Sequence, residues 1–281
     1  MLHVSNEVKP VYELVGVPPQ PAQGADLKKL QAVLDRFEVT IAEANDLVVL
    51  SDYEIVIIAD DSGSMSRASA PPAQRVLGQP TLTRWDELKE TLGLIVEMGT
   101  CFDSSGIDIF FLNRPQIQGV RSIRDKRFVD SFSNPPRGST PLTECLRTVA
   151  SQCGGEKPVL LFILTDGEPN GGTRIFGQEL RQMVNKVSTR YTFKVQIMPC
   201  TSDDDAVAWL NVIDREFAQV DVTDDYYTEL GEVIRAGRAS KFTRGDWCLK
   251  AMLGPISQKF DEWDEGPRFG ENVECDLCAI Q

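Results

Sequence analysis

Asp60, Ser62 and Ser64 stand at two-residue intervals in Asp60-Asp61-Ser62-Gly63-Ser64, directly after the apolar run 54–59. A turn leaving a buried strand there would bring three oxygen-bearing side chains to one point above a sheet edge. A second polar stretch, Thr165-Asp166-Gly167-Glu168-Pro169, follows the apolar run 158–164. Hard divalent cations take oxygen ligands, and Mg²⁺ typically keeps waters beside a few protein groups in an octahedron. Asp60 and Asp166 would balance the charge of such an ion, hydroxyls would supply neutral ligands, and a coordination position would stay open. Ligand type alone does not separate Mg²⁺ from Mn²⁺ or Ca²⁺.

Composition removes other chemistries. The 281-residue chain has one histidine, His3, so a three-His zinc site cannot be assembled, and its place two residues from the first makes a Ser-His-Asp triad or a His-Cys pair unexpected. With 29 Lys and Arg against 42 Asp and Glu, the net charge is −13, which repels a phosphate backbone, and nucleic acid is not an expected partner. No run approaches the ~18 apolar residues of a membrane-spanning helix, and the first residues lack a secretory pattern, so a cytoplasmic protein is expected. The 7 cysteines are odd in number and scattered, which argues against a disulfide framework.

The elements that must position these groups are legible as texture. Short β-branched runs at 54–59, 107–112, 158–164, 193–198 and 220–222 alternate with stretches of helical length at 85–98, 141–153, 174–188, 206–217 and 226–236. Such alternation predicts an α/β fold, a mostly parallel sheet with helices on both faces. Residues 119–123 read as a short antiparallel edge strand. In open α/β sheets ligands bind beyond the carboxyl ends of the strands, where both polar stretches fall.

Asp60-x-Ser62-x-Ser64, Thr140 within Gly138-Ser139-Thr140-Pro141-Leu142, and Asp166 within Leu164-Thr165-Asp166-Gly167 resemble the metal-ion-dependent adhesion site of von Willebrand factor type A (vWA) domains. All five positions are present, in order, and the resemblance covers residues 50–237. It implies a Rossmann-like sheet and a cation, Mg²⁺ first among the three, that bridges the domain to an Asp or Glu of a partner protein. It further implies that Ser62 and Ser64 bind the metal directly, Thr140 directly or through water, and Asp60 and Asp166 largely through water. A metal-dependent interaction module without enzymatic activity is the expected function.

Two other readings compete. Asp60 and Ser62 could simply cap the following segment, as Asx and Ser residues do after strands. A Mg²⁺-dependent hydrolase of a phosphorylated substrate could use the same crevice. A haloacid-dehalogenase-type phosphatase, however, wants a second Asp two residues after its nucleophile, and Ser62 occupies that position. Asp61 and Glu168 are the only neighbouring candidates for a general acid. No Gly-x-x-x-x-Gly-Lys phosphate loop occurs.

Outside the resemblance, residues 1–49 comprise a proline-containing lead-in and an amphipathic helix. Its apolar positions Leu27, Leu30, Leu34, Phe37 and Ile41 are spaced for one helix face over 26–44. Residues 238–281 read as a helical segment, broken near Gly254-Pro255, followed by an acidic tail. That segment is expected to pack with the first helix against the domain. Arg244-Gly245-Asp246 within it spells an integrin-recognition tripeptide and is read as coincidence. Residues 66–82 form a proline-containing insertion beside the candidate metal, with Thr83 as cap of the next helix. The sequence closes on Cys278-Ala279-Ile280-Gln281, a C-a-a-X pattern that points to farnesylation of Cys278, and Cys275 is placed to accept a palmitoyl group. Residues 261–276 hold seven acids and one base, so an anionic membrane would repel the tail and membrane residence would rest on lipid alone.

Overall fold

The chain folds as α/β, Rossmann-like, in a computed structural model that describes residues 27–69, 82–201, 208–237, 241–261 and 263. The proline-containing lead-in, most of the 66–82 insertion, Cys275 and Cys278 lie outside the described residues.

Six strands form one sheet in the order β3-β2-β1-β4-β5-β6. They are β1 (Glu54–Ala59), β2 (Ile107–Phe111), β3 (Ile117–Val120), β4 (Val159–Thr165), β5 (Phe193–Pro199) and β6 (Val220–Val222). All pairs are parallel except β2 with β3. The central register sets Ile58 between Phe110 and Ile163. The antiparallel edge strand begins two residues before the span that the sequence suggests, and Gly119 sits within it rather than at its start.

Side-chain alternation along β1 and β4 builds two apolar layers. Ile55, Ile57 and Ala59, with Leu160, Phe162 and Leu164, face α3 (Arg84–Gly99). Val56 and Ile58, with Leu161 and Ile163, face α5 (Leu142–Gln152) and α6 (Thr173–Val184), and α7 (Leu210–Glu216) adds Leu210 and Ile213 to that layer. All seven residues of β4 are buried. Its continuous apolar run thus reflects coverage on both faces, each large side chain being worth ~1.5–3 kcal/mol of burial. A short helix, α4 (Lys126–Ser131), brings Phe128 to the first layer. After β6 comes α8 (Tyr226–Ala236), ended by Gly237 in the left-handed conformation.

The single helix expected over 26–44 is two. α1 (Leu27–Phe37) stops where Glu38 takes φ 60°, and Thr40 then caps α2 (Ile41–Ala44) in a capping box with Glu43. Ile41, read as part of the apolar face, is 72% exposed. The cap restarts the chain in a new direction, which apolar spacing alone does not register. The second segment is α9 (Arg244–Leu253) followed by α10 (Gln258–Asp261), broken at the expected place. Leu249, Met252 and Leu253 of α9 share one apolar cluster with Val33 and Leu34 of α1. Asp246, the acid of the Arg-Gly-Asp tripeptide, accepts from the Thr243 amide and hydroxyl at 2.7 and 2.8 Å, so its carboxylate caps α9.

One polar group anchors α9 to the sheet edge. Lys250 is fully buried, with Nζ 3.2 Å from Glu229 Oε1 on α8 and 3.5 Å from Asp221 Oδ1 on β6. Gly254, just past α9, comes so close that a Cβ there would stand 2.1 Å from Asp221 Oδ2.

Candidate metal centre

The carboxyl ends of β1 and β4 lie side by side, and the Asp60 amide donates to the Leu164 carbonyl at 2.9 Å, carrying the pairing one residue past the strand. Parallel pairing therefore puts Asp60 and Asp166 at the same sheet edge although 106 positions separate them. Asp60, Ser62 and Asp166 are buried, and Ser64 and Thr140 are half-buried.

A chain of oxygens connects four of the five residues. Asp60 Oδ1 accepts from the Ser62 amide at 2.9 Å, and Asp60 Oδ2 accepts from the Thr165 hydroxyl at 2.8 Å. The Ser62 and Ser64 hydroxyls are 2.9 Å apart, and Ser64 donates to Asp166 Oδ1 at 2.8 Å. The capping alternative is met in part: Asp60 holds the Ser62 amide in an Asx-type turn, whereas Ser62 starts the 3₁₀ turn Gly63–Ser66 without a side-chain cap.

Thr140 is joined to this chain through its loop. The Gly63 amide donates to the Gly138 carbonyl at 3.0 Å, and Asn170 holds Thr140 by accepting from its amide at 3.3 Å and donating to its carbonyl at 2.8 Å. Gly138 has φ 108°, and a Cβ there would fall 2.3 Å from Asn113 Oδ1, so only glycine lets the loop pass this close.

Electrostatics separates the two site acids. Burial first, then the charge of Asp166, pushes the Asp60 carboxyl up to about 6, against the opposing hydrogen bonds from Ser62 and Thr165. Among the described residues no Lys or Arg pairs with Asp60. Asp166 has its own cation, since the Arg84 guanidinium, also buried, donates to Asp166 Oδ2 at 2.9 Å. One of the two carboxylates is thus neutralised by the chain itself.

Asp61 serves the surrounding loops. Its Oδ1 accepts from the Asn113 amide at 2.7 Å and side chain at 3.2 Å, while Arg114 Nε lies 3.1 Å from Oδ2, an ion pair outside hydrogen-bonding geometry. Arg114 also donates to the Asn134 and Pro135 carbonyls at 3.0 and 2.7 Å and sits over the Trp85 ring at 4.8 Å. It thereby fixes the loop that leads to Thr140. No family model matches the chain, and no curated protein matches it.

The donor set suits a hard cation: every group is oxygen, two are carboxylates, and one of these is buried without a basic partner among the described residues. Sequence reasoning missed Thr165, Arg84, Arg114 and Asn170. Thr165 adjoins Asp166 within the quoted motif, but Arg84 offered no signal beyond its place after a helix cap. A separate acidic group, Asp214, Asp221 and Asp261, has oxygens within 4.8 Å of one another. There Asp214 accepts from the Val222 amide at 3.0 Å, and Asp221 faces Lys250 and accepts from Thr223 Oγ1 at 2.8 Å.

The five described cysteines, Cys101, Cys145, Cys153, Cys200 and Cys248, are free thiols. Burial pushes the thiols of Cys145, Cys153 and Cys248 up to about 12, so they are packing groups rather than nucleophiles.

Proposed function

We propose that the protein is a metal-dependent interaction module: Asp60, Ser62, Ser64, Thr140 and Asp166 hold a divalent cation, Mg²⁺ in the first instance, that captures an Asp or Glu of a partner protein. The observation that carries this reading is a fully buried carboxylate, Asp60, set among hydroxyls and a second acid with no basic partner among the described residues. Such a group costs free energy unless it is protonated or meets a cation. The resemblance of the five positions to vWA domains supplies the direction of the chemistry.

Arg84 gives the proposal a further physical reason. Because it neutralises Asp166, a divalent ion at the site would leave one surplus positive charge. That surplus attracts one more carboxylate, which an acidic side chain of a partner would provide. A hydrolase would need an acid free to move a proton, yet Asp61 is tied to Asn113 and Arg114, and Glu168 is exposed at the loop surface.

The test is a titration with Mn²⁺ followed by electron paramagnetic resonance, comparing wild type with Asp60→Asn and Ser62→Ala. One site is expected in wild type, with affinity lost in both variants. Equal uptake by all three proteins would overturn the metal assignment. Capture of partners in Mg²⁺ and in EDTA then tests the bridge, and partners retained in both conditions refute it.

No helix among the described residues is long and apolar enough to cross a membrane. Membrane association through a farnesyl group on Cys278 rests on the four-residue pattern alone. Isoprenoid label entering wild type and not Cys278→Ser is the expected result, and no label in wild type would end that reading.

A further inference from the structure

Beyond the carboxyl ends of β5 and β6, between α1, α3, α8 and α9, lies a cavity of ≈ 750 Å³. Its volume falls in the ~300–1,000 Å³ range of small-molecule sites, and it opens at the sheet edge where open α/β folds take ligands. Its lining combines apolar groups, Leu94 of α3, Met198 and Pro199 of β5 and Trp247 of α9, with acids, Glu87 and Glu90 of α3 and Asp224 and Asp225 ahead of α8.

Two cations, Arg36 and Arg244, also line it, and both are engaged. Arg36 pairs with Glu97, and Arg244 lies over the Tyr226 ring at 5.5 Å. Of the acids, Asp225 caps α8, accepting from the Tyr227 amide at 2.9 Å and the Thr228 hydroxyl at 2.7 Å. Glu87 is half-buried in the wall. Burial first, then the charges of Asp225 and Glu90, holds its carboxyl up at about 7, against the opposing charge of Arg84. The cavity therefore has a surplus of negative charge focused beside an apolar and aromatic wall, with Tyr226 and Tyr227 in T-shaped contact at 5.2 Å and Tyr227 74% exposed. Phosphates and carboxylates are disfavoured there. A cation with an apolar body suits this lining, since the carboxylates attract the charge and Met198 and Trp247 take the body.

We infer that this cavity is a binding site for a small organic amine, its ammonium set against Glu87 and Glu90 and its apolar or aromatic body against Leu94, Met198 and Trp247. The site is separate from the candidate metal centre and does not require a divalent ion.

Calorimetric titration of the full chain in EDTA with phenethylamine, and with its neutral isostere 2-phenylethanol, tests the assignment. Saturable one-to-one binding of the amine is expected, with the alcohol at least about tenfold weaker. Glu87→Gln should weaken the amine by about tenfold. Glu90→Gln, whose side chain is exposed and whose folding is not in question, should weaken it by a smaller factor while leaving the alcohol unchanged. Replacing EDTA by Mg²⁺ should leave amine affinity unchanged. Absence of saturable amine binding, equal affinity for amine and alcohol, unaltered affinity in both variants, or a requirement for Mg²⁺ would each overturn the proposal.

Discussion

Two pairs of buried carboxylates, Asp221 with Glu229 and Asp60 with Asp166, each lie beside one buried base among the described residues. At the sheet edge, Lys250 reaches both Asp221 and Glu229, so one cation serves two acids. At the centre of the sheet, Arg84 pairs with Asp166, and Asp60 accepts from hydroxyl and amide donors. Counting charges does not distinguish the two groups; the placement of the base does. The edge cluster is closed by its own chain and works as a fastener for α9. The central one keeps a buried acid, Asp60, that no Lys or Arg among the described residues pairs with, and it has half-exposed Ser64 and Thr140 nearby. A buried acid by itself is therefore no sign of a site, and the source of its counter-charge is the informative quantity.

The largest effect is expected where the chain's own cation is removed from the closed cluster. Lys250→Met leaves two buried acids without their base and should cost ~3–5 kcal/mol in urea denaturation. Adding Asp221→Asn and Glu229→Gln should restore part of it. A loss near zero for Lys250→Met would erase the distinction between the clusters.

At the central cluster the sign reverses. Burial pushes the Asp60 carboxyl up to about 6 in the fold against 3.8 for an ordinary aspartate, so the folded state holds the proton more tightly and the charged form is a penalty. That penalty is complete above pH 6 and vanishes as pH falls through the window to 4. Asp60→Asn should accordingly stabilise the metal-free protein by about 2–3 kcal/mol at pH 8, with the gain fading between pH 6 and 4. Saturating Mg²⁺ should shrink or invert the difference, because the ion stabilises only the wild type. Denaturation curves in EDTA and in Mg²⁺ across this range measure both.

Two glycines sharpen the comparison at smaller cost. Gly138→Ala forces a Cβ against Asn113 at φ 108°, and Gly254→Ala drives one against Asp221. Each should lose ~1–3 kcal/mol in thermal melts. Only Gly138→Ala should also weaken Mn²⁺ uptake, since Gly138 lies in the Thr140 loop. The smallest effect is expected at the surface pair Arg36–Glu97, where Arg36 is 58% exposed and Glu97→Gln should change stability by under about 0.5 kcal/mol. A larger loss there would show that exposed pairs, too, carry weight in this fold.

Much of the framework was legible because it is local. The runs 54–59 and 220–222 and the helix 226–236 have the same bounds in the structure, since apolar periodicity and turn residues mark them directly. Thr83 caps α3 as read, with Asp86 completing the box. The break between α1 and α2 had a signal that the reading passed over: Thr40 and Glu43 spell a capping box in the middle of an apparently continuous apolar face. The start of β3 was misplaced because its Ile117 and Val120 straddle Gly119, a residue that reads as a turn.

The sequence by itself determined the donor chemistry: one histidine excluded a multi-histidine site, and Asp60, Ser62, Ser64 and Asp166 at strand exits supplied oxygens to one sheet edge. Only the tertiary structure decided where the counter-charges go. Arg84 meets Asp166 from 82 positions away, and Lys250 meets Asp221 from 29. Neither base announces its partner in the sequence, because local pattern reports which face a residue occupies and not what the opposite wall contains. Coulomb energy depends on distance and burial, which exist only once remote segments have packed. The same holds for the cavity by β5 and β6, whose acidic and aromatic lining comes from four helices and the loop after β6 and forms a surface only in the folded chain.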